Sequence, residues 1–580
     1  MDIFHFLTMI GGLCLFLFGM TLMGQALERR AGNGLKNILG RLTGSKIAGL
    51  LTGLGVTSVI QSSSATTVMV VGFVNAGIMT LRQSINVIMG ANIGTTVTAW
   101  ILSLAGIDSG NMWVKLLKPS SFTPILALIG IILFMFCKKD KQKDTGMILL
   151  GFATLMFGME TMTDAVSVLK DTPGFGEALL LFTNPVLGVL VGAILTAIIQ
   201  SSSASVGILQ ALASTGVVSY GAAVPIIMGQ NIGTCVTALI SSIGANKNAK
   251  RAAMVHLSFN VIGSAVWLTV FCIVKAIFAP AILAASASLF GIAVCHSIFN
   301  ILCTLLMLPM GNLLEKLVCT IIPDSKEKEK QNELDERLLA TPSLALAQSQ
   351  AVAAKMAECA GDALKKSLAN LTNYSPSIAK EIRDAENKCD EYEDILGTYL
   401  IKVSSAKLNR EESEEATMLL KVIGDYERIS DHAVNILDSA EELHDKKLSL
   451  TEEALKEYEV MAKAVYEVVT LTNAAFIKSD VETAAKVEPL EQVVDQLRDR
   501  LRTDHILRMQ KGKCSVEAGF VWADLLTNLE RVSDHCSNIA GYIIDSSEHN
   551  LNLHETLRKA KVSDGPYQEN YKKYAEEYQV

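Results

Sequence analysis

Apolar and polar residues divide the chain into two parts. Up to about residue 322 the sequence is a series of long apolar runs, and after residue 324 it becomes charged and helix-forming. A helix needs about 20 apolar residues to cross the hydrocarbon core of a bilayer, so only the first part is expected to span a membrane. The length of 580 residues is also too great for one hydrophobic core, and at least two domains are expected.

The apolar part predicts full-length spans and two segments of a different kind. The spans are expected at residues 4–26, 84–105, 119–137, 145–168, 222–244, 252–278 and 288–310. Residues 47–80 and 186–218 are also uncharged, but each carries the polar sequence Gln-Ser-Ser-Ser near its middle. One straight helix of that length would be about 50 Å long, and two spans would need about 40 residues. We therefore predict two re-entrant hairpins whose polar tips lie at membrane depth.

The two hairpins belong to an internal repeat. Gln61-Ser-Ser-Ser-Ala65 returns as residues 200–204, and Gly90-Ala-Asn-Ile-Gly-Thr95 returns with one change as residues 229–234. Both pairs are separated by 139 residues (200 − 61 and 229 − 90), and Phe18-Gly-Met and Gly77 return at the same spacing. Position 230 is Gln, where the first repeat has Ala91. The membrane part is therefore expected to be a duplicated unit.

The number of crossings and the charges predict that the second repeat is inverted. Three spans and one hairpin make an odd number of crossings in each repeat. The segment after the first span is basic, whereas its counterpart is acidic; the residues are Arg29, Arg30, Lys36, Arg41 and Lys46 against Asp164, Asp171, Glu177 and the single Lys170. By the positive-inside rule, the N-terminus is expected outside the cytoplasmic (inner) membrane and the charged second part in the cytoplasm. Inverted repeats with broken helices are typical of secondary transporters.

Composition excludes one class of partner. Half of the residues are hydrophobic, 19% are charged and the formal net charge is −8. The sequence has no basic stripe of the kind that binds nucleic acid. The 11 cysteines are scattered, which indicates buried thiols in a reducing compartment.

The hairpin tips offer neutral groups that suit an oxyanion and a hard cation. No Asp, Glu, Lys or Arg occurs in residues 47–80, 84–107 or 186–246. A half-helix that begins after each serine run would point its free amides and positive dipole end at the tip, and serine hydroxyls would add donors. Without a positive side chain, an anion needs a cation as its companion. Because the hairpins have no titratable group, sodium is favoured over a proton.

Asparagine and threonine side chains follow each hairpin on the next span. Thr95 and Thr98, like Thr234 and Thr237, are three residues apart and share a helix face, so they either complete a cation site or pack helices together. Glu160 is a carboxylate within a span, and it is either functional or close to the outer interface.

The doubled Gln-Ser-Ser-Ser and Asn-Ile-Gly-Thr segments resemble the type II sodium-phosphate cotransporter family in its bacterial form, over about residues 5–310. The resemblance implies sodium-coupled transport of inorganic phosphate, with both ligands held at residues 61–64 and 200–203 and with Thr234 and Thr237 helping to hold sodium. We accordingly predict a substrate site made of Gln61, Ser62, Ser63, Ser64, Gln200, Ser201, Ser202, Ser203, Asn92 and Asn231. The predicted sodium ligands are Gln61, Thr95, Thr98, Gln200, Ser201, Thr234 and Thr237.

The charged second part is also duplicated. It is expected to be helical from Thr341-Pro342 to about residue 550, in six helices. Residues 427–436 return as 530–539, an offset of 103 (530 − 427), and the acidic pair Glu386/Asp390 returns as Glu491/Asp495. Glu and Asp four residues apart lie on one helix face, where they either cage a metal or form a solvated acidic face.

This part resembles the PhoU-like regulators of phosphate uptake, which consist of two three-helix repeats. The resemblance implies a regulatory role and the binding of iron, zinc or manganese, and it favours phosphate over sulfate. The metal-binding residues that it implies are Glu386, Asp390, Glu427, Asp431, Glu491, Asp495, Glu530 and Asp534. Phosphate-regulatory proteins or a second copy of the chain are the partners expected for this domain.

Together these features predict an all-α protein with two inverted membrane repeats, each with a re-entrant hairpin, and a cytoplasmic six-helix bundle. The expected segments are 1–139, 145–318, a linker at 319–340, the PhoU-like domain at 341–550 and a charged tail at 551–580. The predicted function is sodium-phosphate symport across the lipid bilayer, without enzymatic activity. The alternatives are a phosphate-sensing signalling protein and a sodium-independent anion channel or exporter. A hydrolase is disfavoured, because the sequence has no HExxH-type motif.

Overall fold

The computed structural model describes residues 3–41, 45–106, 119–168, 184–323, 334–406, 408–548 and 565–579. The chain divides into two compact units, Met1–Ser343 and Leu344–Val580. Within the described ranges the regular elements are helices, and one isolated bridge joins Ser219 to Ser286. The all-α prediction is therefore confirmed for these ranges.

The first unit follows the predicted order of spans and broken segments. Each predicted span corresponds to one helix, and each predicted hairpin to two short helices. The helices are α1 (Ile3–Arg41), α2 (Lys46–Ile60), α3 (Ser63–Asn75), α4 (Leu81–Ser103), α5 (Pro119–Phe136), α6 (Asp140–Ser167), α7 (Pro185–Ile199), α8 (Ser202–Ala213), α9 (Tyr220–Ser241), α10 (Lys247–Phe278), α11 (Leu289–Met307) and α12 (Gly311–Ile321). Re-entrant insertion of the short helices into a membrane remains a prediction.

Most of the predicted spans are long and apolar enough to cross a membrane. By length and composition, this holds for α1, α4, α6, α9, α10 and α11. Helix α5 has 18 residues, which gives it a length of roughly 27 Å. Glu452–Lys478 in the second unit meets the same criterion. We assign that helix to the second unit's bundle, because its Glu457 is buried and forms an ion pair with Arg508 at 2.5 Å.

Helix α1 is longer than predicted. The sequence predicts a span that ends at residue 26 and a basic loop after it, and this prediction is wrong, since the helix continues to Arg41. The residues that follow position 26 contain no proline, so the helix can continue even though Gly32, Gly34 and Gly40 have low helix propensity. Arg29 Nε donates to Asp144 Oδ1 at 3.0 Å, and Arg30 Nη1 donates to the carbonyl oxygen of Lys141 at 2.7 Å. The start of α6 therefore holds this extension of α1.

The charges used for the orientation argument are distributed accordingly. Arg29, Arg30, Lys36 and Arg41 lie in α1, Lys46 begins α2, and Asp164 lies in α6. Lys170, Asp171 and Glu177 lie outside the described residues. The orientation of the repeats across the membrane remains a prediction.

The opening helices of the two repeats, α1 and α6, pack closely and run in opposite directions. Gly12 lies against Met162, and Gly19 lies against Leu155. A Cβ atom on Gly19 would lie only 2.3 Å from the backbone nitrogen of Leu155. Small residues allow such close approach of helix backbones. The two repeats are therefore joined by direct backbone contact along these helices.

Within each repeat, the first short helix packs parallel to the following span. A Cβ atom on Gly90 of α4 would lie 1.9 Å from the carbonyl oxygen of Leu50 in α2. A Cβ atom on Gly229 of α9 would lie at the same distance from the carbonyl oxygen of Val189 in α7. Both pairs are related by 139 residues (229 − 90 and 189 − 50). The sequence repeat therefore has the same helix packing in both copies.

A short 3-10 turn, Glu336–Ala340, packs on the first unit just before the second unit begins. Arg337 Nε donates to the carbonyl oxygen of Ser241 at 2.5 Å, which caps the end of α9. Leu338 is fully buried next to Gly72 of α3. Within the predicted linker at 319–340, this turn and the end of α12 are thus ordered elements, and residues 324–333 lie outside the described ranges.

The second unit contains six long helices, as predicted. The helices are α13 (Pro342–Asn370), α14 (Pro376–Ser404), α15 (Arg410–Asp445), α16 (Glu452–Lys478), the single turn α17 (Val481–Ala484), α18 (Val487–Gln510), α19 (Val516–Glu548) and α20 (Pro566–Glu577). Tyr426, Phe476 and Trp522 are fully buried aromatic residues of its core. Helix α20 lies in the segment expected to be a charged tail, and Gln496 Nε2 in α18 donates to Tyr571 Oη in α20 at 2.6 Å.

Candidate functional site

Both predicted hairpins break at the same residues and in the same way. Helix α2 ends at Ile60 and helix α7 at Ile199, and the next residues, Gln61 and Gln200, have φ angles of 59° and 58°. A residue other than glycine in this left-handed region costs on the order of 1 kcal/mol. The same unfavourable conformation at both tips indicates a constraint beyond helix packing.

Each break places the start of a new helix at the tip. Ser62 Oγ accepts a hydrogen bond from the amide of Ala65 at 3.2 Å, and Ser201 Oγ accepts one from Ala204 at the same distance. The serine at the start of each new helix is buried, and these are Ser63 in α3 and Ser202 in α8. The first amides of a helix have no partner within the helix, and the dipole favours an anion there. Both tips therefore have the chemistry of an oxyanion site.

Thr98 of α4 connects the two tips. Its Oγ1 donates a hydrogen bond to Gln61 Oε1 at 2.9 Å, and Ser203 Oγ donates to Thr98 Oγ1 at 3.4 Å. Gln61 belongs to the first repeat and Ser203 to the second. The structure thus brings the two serine-bearing segments together at one buried place, as a shared site requires.

The other predicted residues lie on the two spans beside the tips. Thr95 and Thr234 each bond to the backbone carbonyl four residues earlier, at 3.0 and 2.9 Å. Asn92 and Asn231 do the same with their amide nitrogens, at 3.1 and 2.9 Å. All four are buried. Their side chains are held by their own helices, and they contact neither tip through a hydrogen bond among the described residues.

The two tips differ in exposure despite their identical residues. Gln61 is 6% exposed, whereas Gln200 is exposed. Ser203 is buried, whereas its counterpart Ser64 is only half-buried. Thr237 Oγ1 is buried and has no hydrogen-bond partner among the described residues. Glu160, which the sequence left between two interpretations, has an exposed side chain on α6.

The structure adds residues that the sequence interpretation did not assign. Thr57 Oγ1 donates to Thr66 Oγ1 at 3.1 Å, so this pair ties α2 to α3 across the break. The sequence repeat could have identified Thr57 as a candidate, because Thr57 returns as Thr196 at the same spacing of 139 residues (196 − 57). Gln230 is 1% exposed, and neither polar atom of its side chain has a partner among the described residues.

Six of the eight predicted metal-binding residues form two clusters in the second unit. Glu386, Asp390 and Asp431 form one cluster, and Glu491, Asp495 and Asp534 form the other. In each cluster, one ligand oxygen of each residue lies within 4.8 Å of the others. Three carboxylates from two neighbouring helices suit a cation that prefers oxygen ligands. The donor set therefore fits a hard divalent metal ion such as manganese.

The remaining two residues have arginine neighbours. Glu530 Oε1 accepts from Arg498 Nη1 at 2.5 Å, and Glu427 Oε2 lies 3.4 Å from Arg428 Nε. Neither belongs to the clusters of three ligand atoms.

The clusters are electrostatically crowded. Burial, together with the charges of Glu488, Asp495 and Asp534, raises the pKa of Glu491 to about 7. Burial and the nearby carboxylate of Asp390 also raise the pKa of Glu386. A raised carboxyl pKa means that the charged form is disfavoured where the like charges meet. A bound cation would relieve this repulsion.

Both parts of the chain match known protein families. The profile of the family described as Na+/Pi-cotransporter matches residues 15–164 and 174–308, and the PhoU domain profile matches residues 353–440 and 458–543. The "Putative inorganic phosphate export protein YjbB" of Escherichia coli K12 is 25% identical over 554 residues, which cover 93% of this chain and 98% of that protein.

Two further relatives each match a part of the chain. The "Uncharacterized protein YqeW" of Bacillus subtilis is 31% identical over 313 residues, which cover 53% of this chain and 95% of that protein. The "Sodium-dependent phosphate transport protein 2A" of Rattus norvegicus is 41% identical over 96 residues, 16% of this chain and 14% of that protein. With its membrane-length helices and its PhoU domain, this chain is a multi-pass membrane protein that belongs to the Na+/Pi-cotransporter family.

Proposed function

We propose that this protein carries inorganic phosphate across the cytoplasmic membrane together with sodium. The observation that carries the proposal is the hydrogen-bonded contact of Gln61, Thr98 and Ser203, which joins the tips of the two repeats. Two half-helices that meet at one buried place suit a transporter site between repeats.

Phosphate would be held by the tips through neutral donors. The first amides of α3 and α8 supply N–H groups, and the serine hydroxyls at residues 62–64 and 201–203 add O–H groups. Asn92 and Asn231 would line the same site from the neighbouring spans. No acidic or basic side chain occurs in either broken segment, so phosphate oxygens meet no like charge there.

Sodium would supply the missing positive charge. Hard cations prefer carbonyl, amide and hydroxyl oxygens, and the proposed ligands offer these. They are Gln61, Thr95, Thr98, Gln200, Ser201, Thr234 and Thr237. In the structure the hydroxyl of Thr98 is engaged by Gln61 and Ser203, whereas that of Thr237 has no partner among the described residues. The second repeat therefore has the hydroxyl that is free to receive an ion.

The direction of net flux follows from the gradients. In symport the free energies of both ions add, so a sodium gradient directed inward drives phosphate inward, and a reversed sum drives it outward. The name of the E. coli relative YjbB assigns export to that protein. Symport accommodates both directions with one site, whereas a channel would show flux without dependence on sodium.

The second unit would regulate this transport from the cytoplasm. Its PhoU domain match supports a regulatory role, and its two carboxylate clusters would each hold a divalent metal ion. The proposed orientation places the N-terminus outside and this unit inside the cell. A phosphate-regulatory protein or a second copy of the chain would be its partner.

Uptake of labelled phosphate into proteoliposomes tests the proposal. An inward sodium gradient should accelerate uptake relative to equal potassium, and sulfate should not compete. Ser202→Ala should abolish uptake, whereas Ser241→Ala is the matched control, because that hydroxyl bonds to its own helix at Ala238. Uptake that is indifferent to sodium would refute symport, and binding without accumulation would favour a sensor.

A further inference from the structure

Identical residues of the two repeats make different contacts. Thr98 is bonded to Gln61 of its own repeat and to Ser203 of the other. The repeat offset of 139 gives the counterparts Thr237 (98 + 139), Gln200 (61 + 139) and Ser64 (203 − 139). In this second set the Thr237 hydroxyl has no partner among the described residues, and Gln200 is exposed. One set of three residues is closed and the other is open.

The residues themselves do not explain this difference. Both sets consist of one glutamine, one threonine and one serine. Both glutamines have the same left-handed backbone, with φ angles of 59° and 58°. The helices that carry them also pack alike, since the close approaches of Gly90 and Gly229 are equal at 1.9 Å. The two sets therefore differ in their contacts, one within a repeat and one to the opposite repeat, and not in their residue types.

We propose that Thr98 and Thr237 are positioning residues that hold the two tips in alternation. In the state described here, Thr98 holds Gln61 and receives Ser203. In the opposite state, Thr237 holds Gln200 and receives Ser64, while the contacts of Thr98 open. The inference rests on the proposed function, in which the substrate passes between the two tips.

This exchange links exposure of a tip to its contacts. With the Thr98 set closed, Gln61 is buried and Gln200 is exposed. Closure of the Thr237 set would bury Gln200 and expose Gln61, which is the reversal that a carrier with repeats of opposite orientation needs. The Thr237 hydroxyl of the open set is buried and has no partner among the described residues, so a rearrangement that brings Gln200 and Ser64 to it would satisfy that hydroxyl.

Differences near the tips supply the competing explanation. The Thr57–Thr66 hydrogen bond has no equivalent in the second repeat, where the hydroxyls of Thr196 and Ser205 are without partners among the described residues. If such differences fixed the asymmetry permanently, the Thr237 set would never close. The two explanations therefore predict different sets of neighbours for Ser64.

Paired cysteines distinguish the two explanations. Thr98→Cys/Ser203→Cys and Ser64→Cys/Thr237→Cys would each be treated in proteoliposomes with a short bifunctional thiol reagent, and the linked peptides would be identified by mass, which separates them from the 11 native cysteines. We expect both pairs to link, because each pair is in contact in one of the two states. The four single-cysteine variants control for labelling and folding.

A further substitution tests whether loss of the contacts of Thr237 favours the contacts of Thr98. Thr237→Val in the Thr98→Cys/Ser203→Cys protein removes the hydroxyl that would hold Gln200 and receive Ser64 in the opposite state. This substitution should increase the linked fraction. A purely structural defect would lower it, which would contradict the proposal.

Linkage of the Thr98/Ser203 pair alone, with and without sodium and phosphate, would overturn the proposal. The mass readout does not depend on phosphate being the substrate. Failure of phosphate uptake in the unmodified protein would therefore refute the proposed function separately from the linkage pattern.

Discussion

Duplication has led to different outcomes in the two units of this chain. In the membrane unit the duplicated polar residues are neutral, and the contact through Thr98 brings both copies to one place. In the second unit the duplicated residues are acidic, and each copy forms its own cluster of three carboxylates. The polar residues at the tip of one broken helix are close to those of the other repeat. In each acidic cluster, the residues lie close to acidic residues of the same three-helix repeat. The function that we propose makes the first arrangement one shared site, and the metal binding that we propose makes the second two separate sites.

The difference in charge has a physical reason. Desolvation penalises an ionised side chain strongly, and neutral donors carry a smaller cost when a ligand leaves. The tips carry no charged residue, and Gln61, Ser63, Ser202 and Ser203 are buried. The carboxylate clusters are only partly buried, apart from Glu491, and suit a bound ion that stays.

The largest effect is expected from a negative charge at one tip. Ser63→Asp places a carboxylate at the buried start of α3, where it would occupy the proposed anion position and repel phosphate. Because an acidic residue at a helix start favours the helix, the fold should survive. Phosphate uptake should fall to background, while Ser45→Asp, at the exposed start of α2, serves as the control. Normal uptake by the Ser63→Asp protein would contradict a shared site.

The contact between α1 and α6 gives the next effect. A Cβ atom on Gly19 would lie 2.3 Å from the backbone of Leu155, whereas one on Gly11 would meet nothing within 4 Å. We expect Gly19→Ala to lower the free energy of unfolding by about 1–3 kcal/mol through overpacking, and Gly11→Ala to leave it nearly unchanged. Thermal unfolding in detergent measures both. Equal free energies of unfolding for the two variants would mean that the close approach of Gly19 to Leu155 does not limit stability.

Metal binding tests whether the acidic clusters are separate. Asp431→Asn should abolish manganese binding at one cluster and leave the other, and Asp534→Asn should do the reverse. At 100 times the dissociation constant, one bound ion stabilises its fold by about 2.7 kcal/mol, so each variant should lose a stabilisation of that order. Titration calorimetry of the full chain gives the number of sites. Glu482→Gln, whose side chain is 90% exposed, is the control.

Loss of both sites in one variant would contradict this separation. It would mean that the second unit shares one binding event, as the membrane unit does.

The smallest effect concerns pH. The folded protein raises the pKa of Glu491 from 4.5 to about 7, mainly through burial. The folded state therefore binds this proton more tightly than the unfolded state. Without metal, the stability of the second unit should fall as the pH rises from about 4.5 to about 7 and stay level above that. Hydrogen exchange of the α18 amides reports it, and Glu491→Gln should remove this slope. A slope of the opposite sign would contradict the raised pKa.

Much of the helical order was predictable, because membrane spans depend on local composition. The breaks at Gln61 and Gln200 follow from uncharged segments of the wrong length for one helix. The end of α1 was not predictable in this way. Hydropathy falls at residue 26, and Gly32, Gly34 and Gly40 follow, but the helix continues to Arg41 and its Arg29 and Arg30 bond to α6.

The site was predictable as a set of residues but not as a set of contacts. The repeat identifies Thr98 and Thr237 equally, and no property of the sequence indicates which of them is bonded. The acidic motif likewise identifies Glu427 and Glu530, but arginine side chains lie beside both. The partner of a long side chain depends on the neighbouring helices, and the spacing of residues along one helix does not predict it.

The turn at Glu336–Ala340 anchors the segment that leads into the second unit. A long flexible linker would leave the second unit without a fixed attachment to the first. Here Arg337 grips the end of α9 and Leu338 is wedged beside Gly72, and only one residue separates the turn from the first helical residue, Pro342. The residues that lead into α13 are therefore fixed to the end of α9, the span that carries Thr237, and to α3, the second arm of the first hairpin.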